Sequence, residues 1–346
     1  MPSEDLVVVK VAPFNAESPA SALRDDVTPT PLFYVRSNFP VPSLDTRTHQ
    51  LTVSGAVERP LTLSLVDLQS LGTRTITTTV ECAGNHRLSL FPLPTGEPWQ
   101  SGAISTATWT GVPLAALLER TGVHPDTVEI LATGADRGKP KDWHEQIPFA
   151  RSLPLEKALH PDTLLAFEMN GEPLPAAHGA PLRLIVPRWY GMAGVKWVAS
   201  IEAITERFRG YYQAQRYIYD SGDGTPPPPV TTMRVKAVIT SPIADETVHV
   251  GRVPVAGRAW SGEGDITRVE VAVDGGDSWK DARVVQSSGP YAWTTWEYDW
   301  DAADPGRHAL RARATDVKGN RQPDAAIWNR HGYGSNGVGP VTVNVR

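Results

Sequence analysis

Apolar residues recur at helical spacing in only a few places along the first two thirds of the chain. In GVPLAALLERTGV (residues 111–123), Leu114, Leu117 and Leu118 share one face, Pro113 suits a first helical turn and Gly122 suits the stop. LTLSLVDLQSL (61–71) and ARSLPLEKALH (150–160) read as two further helices, whereas LRLIVP (182–187) and VKWVASIEAI (195–204) read as strands. SGDGTPPPPV (221–230) then combines glycines with four consecutive prolines, which predicts a stiff, extended linker. Beyond it the pattern is almost wholly alternating: TVHVGRVPVAGRAW, ITRVEVAVDGGDSW, YAWTTWEYDW, GRHALRARATD and PVTVNVR, separated by turn signals. About seven strands at roughly ten-residue spacing predict an immunoglobulin-like sandwich. The expected fold class is α+β, with a mixed α/β unit over 1–225 and an all-β unit over 231–346.

Composition narrows the partners. A length of 346 residues fits two domains at roughly 100–200 residues each. A net charge of −5 gives no electrostatic reason to expect nucleic acid or an anionic membrane surface. No apolar stretch approaches the roughly 20 residues of a membrane span. The start, MPSEDLVVVK, has no basic region, twin arginine or small-residue cleavage site, so no export signal is read and a cytoplasmic address is expected, or a periplasmic one if a leader has been removed. Trp260, Trp279, Trp293, Trp296 and Trp300 are expected in a core or interface rather than in chemistry.

A single cysteine, Cys82, excludes an internal disulfide, and there is no CxxCH motif for haem attachment. It sits in VECAGNHR (80–87), after a glutamate and before a turn-prone run. A lone thiol is a small buried hydrophobe, a nucleophile or a soft metal ligand. Zinc or iron–sulfur binding needs more cysteines. One thiolate completes a metal site only where another molecule supplies the other ligands, as the dithiolene of molybdopterin does. Arg87 nearby would favour the ionised sulfur.

VECAGNHR resembles the molybdenum-ligating signature of the sulfite oxidase family, a Cys-Ala-Gly-Asn core followed by an arginine. FYVRSNFPVP (33–42) resembles that family's N-terminal arginine motif, and PWQSGAISTATW (98–109) its active-site tryptophan segment. LLAFEMNGEPLPAAHGAPLRLIVP (164–187) with VKW (195–197) resembles its cofactor-binding stretch, and AWSGEGDITRVEVAVDGGDSW and IWNRHGYGSN its C-terminal part. The resemblance runs from about residue 33 to the end. It implies a sulfite-oxidase-like molybdopterin-binding domain, then a sandwich that mediates a homodimer.

Carried over by position, the resemblance makes Cys82 the protein ligand to molybdenum. It puts Arg36, Arg87 and Trp99 in the oxyanion pocket and Tyr217 near the metal's oxo group. Asn38, Asp136, His178, Arg183 and Lys196 match cofactor-contacting positions. Arginines supply planar, permanently charged donors for a small oxyanion such as sulfite. With no haem domain in the chain, a separate acceptor such as a cytochrome is expected.

One position departs. The family's sulfite oxidases carry a Trp-Asn-x-Arg-Gly segment, and here it reads WNRHG, with His331 in the arginine's place and Arg330 one residue early. A neutral histidine would weaken anion binding, and a protonated one would make it fall as pH rises through roughly 6–7. The substrate is then sulfite held less tightly, or another small molecule, with a reductase as a variant. A non-catalytic scaffold that has kept the fold is the reading from a different class.

Overall fold

The residues that carry Cys82 begin as a strand. Arg74–Glu81 pairs antiparallel with Ile104–Pro113 in the computed structural model, with Val80 opposite Ser105 and Glu81 opposite Ile104. The structure describes residues 5–276, 278–285 and 287–346. Residues 1–4, part of the run read for an export signal, lie outside the described residues, as does residue 277 in the strand-turn read at ITRVEVAVDGGDSW.

The first part of the chain is built on two sheets. Glu172–Pro173, Leu164–Met169, Ile104–Pro113 and Arg74–Glu81 lie in that order, with Arg183–Ile185 also paired to Leu164–Met169. The second sheet runs Leu61–Ser64, Gln50–Gly55, Val198–Ile204, Glu129–Gly138, Ile147–Pro154. Val198–Ile204 is parallel to Gln50–Gly55 and antiparallel to Glu129–Gly138. Leu114, Leu117 and Leu118, all buried on the helix Leu114–Thr121, pack with Leu51, Ile130 and Ile201. Each such side chain contributes about 1.5–3 kcal/mol by leaving water.

The three expected helices are shorter than the spacing suggested. Residues 61–71 divide into the strand Leu61–Ser64 and the helix Leu65–Gln69, because Ser64 and Asp67 form a capping box that starts the helix there. Residues 150–160 divide into the end of Ile147–Pro154 and a single turn, Leu155–Ala158. Pro113 ends a strand and precedes the helix as its N-cap, while Gly122 stops it at φ +69°. Short apolar runs fit either period, and here cross-strand pairing wins. The strands at 182–187 and 195–204 shrink to Arg183–Ile185 and Val198–Ile204.

The second part is a sandwich. One sheet runs Lys236–Ser241, Gly251–Trp260, Thr294–Ala302, Arg283–Val284; the other runs Thr247–Val248, Val341–Val345, Gly306–Asp316, Ile266–Ala272, Lys280–Asp281. Val255, Trp296, Trp300, Leu310 and Val343 fill the space between them. Trp260 and Trp293 instead pack into the core of the first part, and Trp279 lies half-buried under Arg313, whose guanidinium is 4.0 Å from the ring centre. The proline segment is not a free spacer. It folds back along 217–219, with Tyr219 N donating to Pro228 O (2.9 Å) and Val230 N to Tyr217 O (2.9 Å).

Candidate active site

Cys82 follows the strand Arg74–Glu81 at a pinned turn. Its N–H donates to Ala103 O (2.8 Å) and its carbonyl accepts from Asn85 N (2.9 Å). The Asn85 side chain closes the turn from the other side, donating to Glu81 Oε1 (3.1 Å) and accepting from Ala103 N (3.2 Å). Gly84 leaves room for the Arg87 guanidinium, since a Cβ there would lie 2.3 Å from Arg87 Nη2 and displace it. Arg87 is buried beneath the turn, donating through Nε to His331 O (2.9 Å) and through Nη1 to Glu97 O (2.6 Å). Cys82 is 8% exposed. Burial pushes its pKa up, and Arg36, the Gly84 N–H and Arg87 pull it down without prevailing. The expected help from Arg87 is thus present in sign and outweighed by desolvation.

Arg36, Asn38, Cys82, Asp136, His178, Arg183, Lys196 and Tyr217 all line one cavity, together with Tyr34, Ser37, Phe149, Gly191, Met192, Gly194 and Trp197. It holds about 600 Å³ of space free of protein atoms, its mouth included. Arg36 Nη2 donates to Asn38 Oδ1 (2.7 Å), and Lys196 Nζ to Ser37 Oγ and Ala177 O (both 2.9 Å). Arg183 Nη1 donates to His178 O (3.1 Å), and its guanidinium lies 4.9 Å from the centre of the Trp109 ring. Burial, then Arg183 and Lys196, push the His178 pKa down to about 3, so its imidazole is neutral. Burial pushes the Asp136 carboxyl up to about 7 against the pull of Lys196.

The charges in this cavity do not balance. Among the described residues, none of Arg36, Arg183 and Lys196 has a carboxylate within ion-pair distance. Arg183 Nε and Asp136 Oδ1 are buried without a hydrogen-bond partner. A cation out of water and unpaired is costly, so the wall is built for an anion that the chain does not supply. Glycines clear space beside it: a Cβ at Gly191 would fall 2.7 Å from the Tyr34 hydroxyl, and one at Gly179 (φ +114°) 3.0 Å from Lys196 Cβ. The described residues hold no cluster of three His, Cys, Asp or Glu side chains fit for a metal. A metal at Cys82 would therefore take its other ligands from a non-protein group.

A second cluster adjoins Tyr217. Its ring lies 5.1 Å from that of Tyr333, which in turn is 5.6 Å from His331 and lies 5.4 Å from the Arg87 guanidinium. Arg216 Nη1 is 3.5 Å from His331 Nδ1. Burial, then Arg216, push the His331 pKa down to about 4; Asp220 opposes this, and Arg87 and Arg330 add to it. The expected titration of His331 through pH 6–7 is corrected accordingly, since burial first, and then the neighbouring guanidiniums, hold the ring neutral there. Arg330 points away, with Nε 3.2 Å from Asp220 Oδ2.

Three expected pocket residues do not line the main cavity. Arg87 and His331 belong to the adjoining cluster. Trp99 is wholly buried in the same cluster as Cys82, its Nε1 has no hydrogen-bond partner, and its carbonyl accepts from Leu88 N (3.1 Å). Tyr34, Arg216 and Tyr333 went unnoticed in the sequence. The only local signal for the last two is adjacency to Tyr217 and to His331.

The family model of the oxidoreductase molybdopterin-binding domain matches residues 38–212, and that of the Mo-co oxidoreductase dimerisation domain matches 228–345. The chain belongs to the sulfite oxidase family of molybdopterin-dependent oxidoreductases. It is 36% identical to mitochondrial sulfite oxidase of Macaca fascicularis, over 94% of this chain and 63% of that protein. It is 33% identical to sulfite oxidase of Arabidopsis thaliana, over 92% of this chain and 89% of that one. The structure of the sulfane dehydrogenase SoxCD from Paracoccus pantotrophus matches with a TM-score of 0.85 at 31% identity, covering 96% of this chain and 87% of that chain. The chain spans 63–64% of the length of the mammalian sulfite oxidases it matches. The cofactor that goes with this family is molybdenum held by molybdopterin, and the unpaired cations, the glycine-cleared wall and the lone thiol fit it. No helix among the described residues is long and apolar enough to cross a membrane.

Proposed function

We propose that this chain is a molybdenum-dependent oxidoreductase that converts sulfite and water to sulfate, two protons and two electrons. In this reading 1–225 is the catalytic unit and 231–346 joins two copies into a homodimer, and a separate protein such as a cytochrome accepts the electrons one at a time. The observation that carries it is one thiol set among cations that lack carboxylate partners. A scaffold that had merely kept the fold would gain nothing from that cost.

The bound cofactor supplies the two-electron oxygen-transfer chemistry. Cys82 would hold its metal, and Asn38, Asp136, His178, Arg183 and Lys196 its pterin and phosphate groups. Arg183 and Lys196 offer charge to the phosphate, while neutral His178 offers a ring nitrogen that does not repel them. Arg36 is held by Asn38 and the Ser37 carbonyl, so its charge faces the thiol without a rotamer search. Arg87 is fixed by two carbonyls and adds a second cation behind the same turn. Tyr217 brings a hydroxyl donor to the cavity wall. Trp99, packed in one cluster with Cys82, would stand behind the oxyanion pocket.

The neutral His331 favours a second reading, in which the substrate is a different small sulfur compound or the enzyme works as a reductase. SoxCD, similar over the whole chain, is a sulfane dehydrogenase. Metal analysis and a sulfite–ferricyanide assay separate the readings. Protein made in a molybdopterin-producing host should carry one molybdenum per chain, and Cys82→Ser should lose it or its activity, because a hydroxyl is a poor ligand for a soft metal. Zinc, or no metal, in the wild type would overturn the assignment. Full molybdenum without sulfite turnover would leave the second reading.

A further inference from the structure

Arg216 ends the turn of π-helix Tyr212–Arg216, directly before Tyr217. Arg151 fixes this turn at both ends, donating through Nη1 to Tyr212 O and through Nη2 to Val230 O (3.4 Å), whose own N–H donates to Tyr217 O (2.9 Å). The main chain that carries Arg216 is therefore held by buried contacts, and the guanidinium itself meets His331. Its guanidinium is half-buried, 3.5 Å from His331 Nδ1, and among the described residues it has no carboxylate within ion-pair distance. Its charge acts on Tyr217, Tyr211 and Tyr333, and Asp142 is the acidic group that feels it, itself bonded to the Tyr211 hydroxyl.

We propose that Arg216 supplies the cationic wall of the substrate pocket at the position where WNRHG carries His331, and so sets the affinity for a divalent oxyanion. This rests on the sulfite oxidase reading of the pocket and goes beyond it. The positive charge has not been lost with the departure at WNRHG. It stands on the turn directly before the cavity-lining Tyr217, 3.5 Å from the imidazole that takes the arginine's position. An arginine is suited to this, because its planar fork offers two parallel donors to an oxyanion and keeps its charge at any working pH.

The test is calorimetric binding of sulfate to molybdenum-loaded protein, with sulfite kinetics beside it. Arg216→Gln should weaken sulfate binding about ten- to a hundredfold, the range of one charge-assisted hydrogen bond. It should raise KM for sulfite by the same factor and leave kcat within about threefold. Arg216→Met is a second neutral variant should the first fail to hold molybdenum, and Arg216→Lys should recover most of the loss. Wild-type sulfate affinity in either neutral variant at full molybdenum content overturns the proposal. Calorimetry reports on Arg216 even if the wild type does not turn sulfite over, so failure of the sulfite reading is distinguishable.

Discussion

Lys236 and Arg183 are both buried cations, at 2% and 6% exposure, and the fold treats them in opposite ways. Lys236 Nζ lies 2.8 Å from Glu81 Oε1, an acceptor shared with Asn85 Nδ2, while Glu81 Oε2 accepts from Trp260 Nε1 (2.9 Å). This cluster is complete in itself. It ties the residue before Cys82 to two strands of the sandwich, Lys236–Ser241 and Gly251–Trp260. Arg183 has only a carbonyl and an aromatic face, and its Nε has nothing. One buried charge is finished by the chain and the other waits for a ligand. The difference separates residues that hold the site's frame from residues that hold what enters it.

Breaking the finished pair should have the largest effect. Lys236→Met leaves Glu81 buried and uncompensated, which costs about 3–5 kcal/mol. Chemical denaturation should show that loss equally with and without cofactor, because no ligand takes part. A loss under about 1 kcal/mol would mean the pair does not hold the Cys82 strand to the sandwich.

Arg183→Gln should act with the other sign on the empty protein. It removes an unpaired charge and keeps a donor for His178 O, so cofactor-free protein should be as stable as the wild type or more so. Cofactor retention should fall about ten- to a hundredfold, one charge-assisted bond's worth. The gap in melting temperature between loaded and empty protein should therefore narrow. A destabilised empty protein with unchanged retention would show Arg183 to be structural like Lys236.

The same contrast explains what was legible in the sequence. The ligand-facing residues lie in short motifs whose chemistry is local: the Cys82 turn, Arg36 beside Asn38, His178 and Arg183 flanking Gly179. The chain brings these to one cavity. The finished pair was illegible. Lys236 stands between Val235 and Ala237 in RVKAVIT and reads as a solvated strand residue, and only the packing of the sandwich against Glu81 buries it. The complete burial of Trp99 was illegible for a related reason, since spacing gives its distance from Cys82 along the chain but not how the two pack. The sandwich strands were read from alternation. The short helices were overcalled, because pairing of Leu61–Ser64 and of 150–154 with neighbouring strands lies outside any local window.

The smallest expected effect concerns His331, where the contrast is sharpest because charge is suppressed rather than paired or waiting. Burial and Arg216, with Arg87 and Arg330, hold its pKa down to about 4, and Asp220 alone among the charges acting most strongly on it pulls the other way. Asp142 also faces this group of side chains, from beside Tyr211. Above about pH 5 the ring is neutral, so it adds no proton-linked step to anion binding near the ordinary imidazole value of about 6.5. Sulfate is the right probe, since it stays a dianion where sulfite gains a proton. Its inhibition constant should be flat within about twofold from pH 6 to 8, and affinity should rise only as pH falls toward about 4, where His331 protonates. His331→Arg should tighten sulfate by less than about tenfold, because the new charge would sit against Arg216, and should abolish the rise at low pH. A fall in wild-type sulfate affinity through pH 6–7 would instead show His331 keeping its proton beside Arg216, and the division of labour between the two residues would be reversed.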